Sequence, residues 1–312
     1  MKASGKPKAI RKKKSLAAAM RDNWQLYILV LPAIIYFVVF NYLPLYGIQI
    51  AFKDYKAVDG IAGSAWVGLK HFKNFFNAYY FKRLLSNTLL LNVYYLLWSF
   101  PVPLILAIFL NQIRGKKKKR FIQTSIYVPY FISTVVLAGM LYIFLSPTSG
   151  ILNFARTAMG LKAIDFMSEA SAFRPIYIIS GIWQAAGYGT ILYIATLTGI
   201  DPSLYEAAEI DGASFWQKLV RITVPMLKRT VISVGVLVIT GSLKVFEIVQ
   251  QLTNGGPAHS SETLVTYSYS LTFGSREYGY GMTLATLTFL ISFVIMMFYL
   301  YLTRDKESGG MV

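Results

Sequence analysis

Six stretches of this sequence are mainly apolar and long enough to cross a lipid bilayer as helices, and five of them contain no charged residue. The hydrocarbon core of a bilayer requires about 20 mainly apolar residues in helical conformation. Backbone N–H and C=O groups find no water inside that core, so each stretch must pair them internally. The sequence therefore predicts an all-α polytopic membrane protein with six transmembrane helices, at about 25–52, 84–110, 121–145, 175–198, 226–250 and 280–303.

The composition supports a chain that lies mostly in lipid. Only 14% of the residues are charged, against about a quarter in a typical soluble domain. The chain contains no cysteine, which excludes disulfides and thiolate metal ligands. His71 and His259 lie far apart in the sequence, so no metal site is expected.

Basic residues give the chain a net charge of +17 and are concentrated beside the apolar stretches. This distribution indicates membrane topology rather than nucleic-acid binding, which uses a basic patch on a polar domain. With six spans, the segments on the N-terminal side carry 20 Lys and Arg, and those on the other side carry 10. The excess predicts that the tails 1–24 and 304–312 are both cytoplasmic. The N-terminal tail either contacts anionic membrane lipid or only fixes the orientation.

Four prolines fall inside the predicted spans: Pro32, Pro44, Pro101 and Pro103. Proline lacks a backbone N–H and its ring clashes with the preceding turn, so we expect these positions to kink or end their helices. Neighbouring helices must then cover the freed carbonyl groups.

Residues 201–225, here named the EAA loop, form a polar interruption between the fourth and fifth spans. Asp201 and Pro202 favour a helix start, because the carboxylate accepts from free N–H groups and proline suits the first helical position. Glu206 and Glu209 are then expected in the early turns, where the helix dipole stabilises acids.

The second part of the EAA loop contains a helix stop and a second apolar pattern. Gly212 favours the left-handed conformation that ends helices, and a second short amphipathic helix is predicted before Pro225 marks entry to the fifth span. Ala207 and Ala208 leave room for close approach. The loop carries four acidic residues, which argues against contact with the anionic inner leaflet and favours a protein partner.

The spacing in the EAA loop resembles the EAA motif of permease subunits in bacterial binding-protein-dependent ABC importers. Its positions are filled by Glu206, Ala207, Ala208, Gly212, Ile222 and Pro225. The one departure is Val224, where the family more often has Leu. Three further segments are similar to parts of sugar-type permeases: 106–115, 127–133 and 252–269. The likeness covers roughly residues 25–303 and points to the maltose-type carbohydrate-uptake class, within it to the LplB-like polysaccharide permeases.

The resemblance implies the type I ABC importer permease fold, with a cytoplasmic EAA coupling helix. It implies a transmembrane permease subunit of an ATP-driven importer. Such a subunit moves an oligosaccharide or polysaccharide-derived glycan from an extracytoplasmic solute-binding protein into the cytoplasm by alternating access. Coupling to the ATPase is expected at five residues: Glu206, Ala207, Ala208, Asp211 and Gly212.

The resemblance also implies partners in the bacterial cytoplasmic membrane. These are a second permease subunit, two cytoplasmic ABC ATPase subunits and the solute-binding protein. A heterodimer of permeases is expected, and a homodimer stays open. ATP and Mg²⁺ are expected in the ATPase, so this chain is expected to be neither an enzyme nor a cofactor carrier. In agreement, the sequence contains no Gly-x4-Gly-Lys-Ser/Thr phosphate loop.

Polar side chains in the fifth span are candidate substrate ligands, because ionisable groups inside a bilayer are costly. Lys244 and Glu247 lie three positions apart and share a helix face. They either contact the substrate or form an ion pair that fixes helix packing. Ser242 adds polarity beside them.

The fourth span contains a second polar and aromatic group, made of Trp183, Gln184 and Tyr188. Aromatic faces with polar tips suit sugar rings, whereas aromatic packing between helices is the alternative for each of them. In maltose-type permeases these two spans supply the substrate contacts, and the resemblance places Tyr188, Ser242 and Lys244 close to those positions.

Two other functional classes are alternatives to the importer: a secondary transporter and a membrane enzyme. An ion-coupled secondary transporter of small solutes would need coupling charges in its spans and often has internal repeats. Lys244 and Glu247 are the only candidates, and no convincing repeat is present. A membrane enzyme would need a catalytic set, and no Ser/His/Asp, metal or paired-carboxylate group emerges from the spans.

Overall fold

The computed structural model describes residues 23–242, 249–250, 259 and 261–303. In the first half the elements are α1 (Trp24–Phe37), β1 (Lys53–Asp54), α2 (Gly60–Gly63), β2 (Ala65–Trp66), α3 (Lys70–Phe76), α4 (Phe81–Ser99), α5 (Pro101–Gln112), α6 (Lys116–Tyr127) and α7 (Thr134–Phe144). In the second half they are α8 (Ile151–Ala158), α9 (Ala170–Leu197), α10 (Pro202–Ile210), α11 (Phe215–Lys218), α12 (Val224–Ser242), α13 (Leu264–Tyr269) and α14 (Tyr278–Thr303). The two short strands pair antiparallel.

Five of the described helices are long and apolar enough to cross a membrane, and a bent helix pair is long and apolar enough for a sixth crossing if its two parts form one span. The five are Trp24–Phe52, Phe81–Gln112, Ala170–Leu197, Phe215–Gly241 and Tyr278–Thr303. The predicted all-α, polytopic fold class is confirmed. Most of the predicted tails, 1–22 and 304–312, lies outside the described residues.

The third crossing is bent by 100°, between Lys116–Phe131 and Thr134–Phe144. The sequence predicted one unbroken span there, without considering Pro129. That proline lies in a 3₁₀ segment, Val128–Phe131, after which Ile132 is extended. Ser133 then starts α7, since its hydroxyl accepts from the N–H of Val136 at 3.3 Å. The break therefore has a local cause in a residue that cannot donate a helical hydrogen bond.

The fifth crossing begins at Phe215, eleven residues earlier than the predicted start at 226. The predicted second short helix is present as α11, Phe215–Lys218, but it is not separate from the fifth crossing, because the chain runs on through a π-helical turn, Leu219–Thr223, directly into α12. A proline cannot donate to the carbonyl four residues before it, and a π turn changes that pairing pattern. The local turn therefore keeps the crossing continuous.

Helix α9 is the centre of the bundle and packs against α4, α5, α6 and α12. Three buried apolar clusters hold the helices together. The first contains Leu91, Leu137, Ala138, Phe173, Tyr177 and Val249; the second Phe75, Leu84, Leu264, Leu271 and Leu284; the third Ala107, Tyr193, Leu197, Leu227 and Val234. Helix α1 is different, since none of its residues is buried. Its apolar circumference therefore depends on lipid or another chain.

Two glycines let α9 approach its neighbours closely. A Cβ added at Gly187 would lie 2.5 Å from the carbonyl oxygen of Ile126 and 2.9 Å from the Cα of Tyr127. A Cβ at Gly189 would lie 2.9 Å from the ring of Pro103. Thr190 donates its hydroxyl to the carbonyl of Ala186 at 2.7 Å. Backbone therefore meets backbone where α9 crosses α6, as in membrane bundles that use small residues at helix contacts.

We predict that Gly187→Ala lowers the stability of the protein by about 1–3 kcal/mol, because the added methyl overlaps rigid backbone atoms. The midpoint of thermal denaturation in nanodiscs measures the change. Gly139→Ala is the matched control, since a Cβ at that α7 position meets no atom within 4 Å. Equal melting of the two variants would contradict the close contact of α9 with α6.

Candidate functional site

The EAA loop begins with a capped helix, as the sequence predicted. Asp201 accepts a hydrogen bond from the N–H of Ser203 at 2.9 Å, and Pro202 occupies the first turn of α10. That backbone bond holds the pKa of the Asp201 carboxyl below its usual value. The charge is thereby kept on the carboxylate at the helix N-terminus, where the helix dipole stabilises it.

Helix α10 ends in a Schellman turn built on Gly212. The glycine has φ of +73°, a conformation that other residues rarely adopt. The N–H of Ala213 donates to the carbonyl of Ala208 at 2.8 Å, and the N–H of Gly212 donates to that of Glu209 at 3.0 Å. These two bonds satisfy carbonyls that the helix leaves open. Gly212 therefore ends α10 in the way its sequence position predicted.

The next helix starts two residues later with a capping box. Ser214 Oγ accepts from the N–H of Gln217 at 3.4 Å, while Gln217 Oε1 accepts from the N–H of Ser214 at 2.7 Å. The EAA loop is therefore two helices joined by a tight turn in which the exposed ends are satisfied.

The outer face of α10 is exposed and combines acid with apolar side chains. Glu206 and Ala207 are exposed, Ala208 is half-buried, and Asp211 and Gly212 are exposed in the turn. Helix α10 has nine residues. Glu206 is the fifth of them and lies in the second turn, an early turn as the sequence predicted.

Glu209 does not lie in the early turns, where the sequence predicted it, but in the last turn of α10. There the helix dipole disfavours an acid. Lys218 compensates with an ion pair of 2.5 Å to Glu209, and the hydrogen bond from Lys218, aided by its charge, holds the pKa of Glu209 below its usual value.

A polar cavity of about 230 Å³ separates the EAA loop from the end of α5. Asn111 and Gln112 line it from α5, and Tyr205, Glu209 and Lys218 line it from the loop. The end of the second crossing and the EAA loop therefore lie at the same end of the bundle, as an alternating topology requires.

Gln184, predicted as a substrate ligand, contacts the broken third crossing. Its side-chain Nε2 donates to the carbonyl oxygen of Ile132 at 2.6 Å. That carbonyl belongs to the residue at which the helix is interrupted, so it has no helical partner of its own. In this structure Gln184 stabilises the break. Its proposed contact with substrate is untested.

Tyr188 lies beside an intramembrane cavity of about 180 Å³ between α4, α9 and α12. Its ring stacks on Tyr130 with the centroids 4.9 Å apart and the planes 14° apart. Trp183, on another face of α9, is 46% exposed. The two aromatic residues and Gln184 therefore do not converge on one cavity.

The fifth-span candidates are only partly covered by the structure. Ser242 is the last described residue of α12, and its side chain is not described. Lys244 and Glu247 lie outside the described residues.

A polar network that the sequence did not predict connects α4, α9 and the segment before α13. Arg83 forms an ion pair of 2.8 Å with Glu262. Asn87 is buried and donates its amide to the carbonyls of His259 and Glu262 at 3.2 and 3.1 Å. Arg174 donates to Asn87 Oδ1 at 3.2 Å. Between 87 and 179 positions separate these partners, so no local pattern in the sequence marks them.

An open cavity of about 550 Å³ lies at the end of the bundle that contains this polar network, between residues 54–80 and 276–280. Tyr55 and Tyr278 meet edge to face there, with ring centroids 5.6 Å apart. The described residues contain no group of three or more His, Asp or Glu side chains that would hold a metal ion. The absence of cofactors stays a prediction.

The EAA loop is thus a capped helix–turn–helix that is exposed at one end of a bundle of membrane-crossing helices. Residues 101–307 match the model of one family, described as the binding-protein-dependent transport system inner membrane component. The chain belongs to this family and is the permease component of an ABC importer in the inner membrane. The ion-coupled secondary transporter considered from the sequence is therefore set aside.

The similarity to known proteins covers nearly the whole length of this chain. Protein LplB of Bacillus subtilis (strain 168) is 37% identical over 297 residues, 95% of this chain and 93% of the relative. The polygalacturonan/rhamnogalacturonan transport system permease protein YteP of the same organism is 37% identical, over 92% of this chain and 89% of the relative. The predicted resemblance is thereby confirmed.

A solved structure has the same fold. It is a bacterial ABC transporter involved in the import of the acidic polysaccharide alginate, and the match has a TM-score of 0.85 and 34% identity. It covers 95% of this chain and all of the matched chain. A second structure of the alginate transporter, which contains an alginate pentasaccharide-bound periplasmic protein, matches with the same TM-score.

We predict that Gln184→Leu lowers the stability of the protein by about 1–3 kcal/mol, because the half-buried carbonyl of Ile132 loses its donor. Thermal denaturation in nanodiscs measures the loss. Trp183→Leu is the control, since the side chain of Trp183 is adjacent in sequence and exposed. We expect this variant to melt near the temperature of the wild type. Unchanged melting of Gln184→Leu together with weaker substrate affinity would instead assign Gln184 to the substrate.

Proposed function

We propose that this permease carries an oligosaccharide or a polysaccharide-derived glycan, delivered by an extracytoplasmic solute-binding protein, into the cytoplasm. The support is the chemistry named for its relatives, polygalacturonan/rhamnogalacturonan for YteP and alginate for the matched structure. The periplasmic binding protein of the second alginate structure supports the delivery step.

The observation that carries the proposal is the exposed face of α10. Helix α10 has no buried residue, so an unsupported surface of Glu206, Ala207 and the Asp211–Gly212 turn is left for another protein. We assign this face, with Ala208 behind it, to a groove in a cytoplasmic ABC ATPase. Glu206 meets a basic ATPase side chain there, and the alanines permit close seating. Two such ATPase subunits bind ATP and Mg²⁺ and perform the hydrolysis.

The proposed orientation rests on charge. The end of the bundle that contains the EAA loop carries the larger share of Lys and Arg, which supports a cytoplasmic position for it and for both termini. The network of Arg83, Asn87 and Glu262 and the 550 Å³ cavity then face the extracytoplasmic side, where the solute-binding protein docks.

A second permease subunit completes the pathway in this proposal. Helix α1 supports it, because an apolar helix with no buried residue offers a large surface to a neighbouring chain. A heterodimer is proposed from the class. The substrate is proposed to pass between the subunits, beside Tyr188 and Trp183, with Ser242, Lys244 and Glu247 as further ligands and Gln184 within reach of the same path.

We predict that the chain co-purifies with a second permease and an ABC ATPase when the three are expressed together. In nanodiscs, a glycan-loaded binding protein is expected to raise the ATPase rate of that complex. A screen with arabinotetraose and tetragalacturonate, which represent neutral and acidic glycans, measures this stimulation. Sugar uptake by the chain without any ATPase would contradict the proposal.

We predict that Glu206→Lys abolishes transport while leaving membrane insertion intact, because it places a cation against the basic ATPase side chain. Uptake in proteoliposomes and ATPase co-purification measure the effect. Glu169→Lys, the same charge change at the opposite end of the bundle, is the control. Wild-type uptake by Glu206→Lys would remove Glu206 from the coupling site.

A further inference from the structure

The EAA helix is attached to the bundle by side-chain bridges more than by packing. No residue of α10 is buried, and a polar cavity of about 230 Å³ lies beneath it. If α10 transmits motion from a partner to the bundle, its connection to the bundle must be rigid. Apolar packing does not provide that rigidity, because no residue of α10 is buried. The bridges between α10 and the start of the fifth crossing must therefore supply much of the stiffness.

Two bridges connect the same face of α10 to the fifth crossing. Tyr205 and Glu209 lie four residues apart, one above the other on the helix. Glu209 pairs with Lys218 at 2.5 Å, and the Tyr205 hydroxyl shares a hydrogen bond of 3.0 Å with the hydroxyl of Thr223. Lys218 ends α11, and Thr223 ends the π turn that leads into α12.

The surroundings of the ion pair favour its persistence. The side chain of Lys218 is only 20% exposed, while that of Glu209 is 63% exposed. Lys218 also lies by the C-terminal end of α10, where the helix dipole favours a cation. Thr223 is buried, so its hydroxyl bond to Tyr205 is shielded from competing water.

We infer that Glu209, Lys218, Tyr205 and Thr223 form a brace that makes α10 and the fifth crossing move as one lever, so that ATPase motion reaches the transport pathway. These are positioning residues, which act through the exposed face of α10. The inference rests on the proposed function and deepens it, because it names the side chains that carry the coupling.

The first test measures stiffness without any substrate. The chain has no cysteine, so Ser203→Cys and Ser233→Cys carry the only spin labels on this subunit, one on α10 and one on α12. Double electron–electron resonance on the assembled complex in nanodiscs is expected to give a narrow distance distribution. Glu209→Gln together with Tyr205→Phe should broaden it. An unchanged width would overturn the brace.

The second test measures coupling. In proteoliposomes with the binding protein, we expect Glu209→Gln to lower the glycan transported per ATP hydrolysed by roughly threefold or more, within the range for a residue in a coupling network. ATPase co-purification should stay unchanged, because Glu209 is 63% exposed and its pair with Lys218 adds little to folding. Glu169→Gln, the same substitution at an exposed position at the other end of the bundle, controls for the change in charge.

Charge reversal separates a coupling role from a structural one. Glu209→Lys with Lys218→Glu restores the pair and puts the cation in the last turn of α10, where it is favoured. We expect this double variant to recover the narrow distribution and the transport per ATP, and each single reversal to lose both. Failure of the double variant to recover either quantity would overturn the inference.

The two proposals fail in different ways. If the wild-type complex neither transports nor responds to arabinotetraose or tetragalacturonate, the glycan function fails while the distance measurement still decides the brace. If the wild type transports normally and Glu209→Gln keeps the same transport per ATP and the same distance distribution, only the brace is wrong.

Discussion

Inside a bilayer every backbone carbonyl must find a partner within the protein, and the architecture of this permease depends on how it meets that constraint. Continuous helices meet it without help. The exceptions occur at prolines, where the chain supplies specific substitutes. Gln184 donates to the carbonyl of Ile132 at the bend of the third crossing, and a π turn carries the fifth crossing through Pro225. A side chain chosen from sequence as a substrate ligand thus has a structural contact, because an orphaned carbonyl in lipid is costly.

The two ends of the bundle are built differently. At one end, Asn87 connects Arg174 with the backbone before α13 through a buried network. At the other end, the EAA loop is closed within itself by a Schellman turn and a capping box. A loop that satisfies its own hydrogen bonds can stand clear of the bundle, and the outer face of α10 is exposed there.

Helix α9 connects these ends. It is one unbroken helix of 28 residues, about 42 Å long at 1.5 Å per residue, and it contains Arg174 of the outer network and Tyr188 beside the intramembrane cavity. Close contacts at Gly187 hold it against α6. The C-terminal end of α9 leads into the EAA loop. When that loop moves, the end of α9 moves with it, and α9 packs against four other helices in the described part of the chain.

The fold class, the approximate positions of most of the crossings, the start of α10 at Asp201 and its end at Gly212 were predictable from the sequence. These depend on apolar length and on local backbone chemistry, which are readable residue by residue. Only the tertiary structure decided the 100° bend, the contact of Gln184, the network around Asn87 and the pairing of Glu209 with Lys218. Each of these depends on which groups meet after the helices pack, and partners up to 179 positions apart leave no periodic trace in a single sequence.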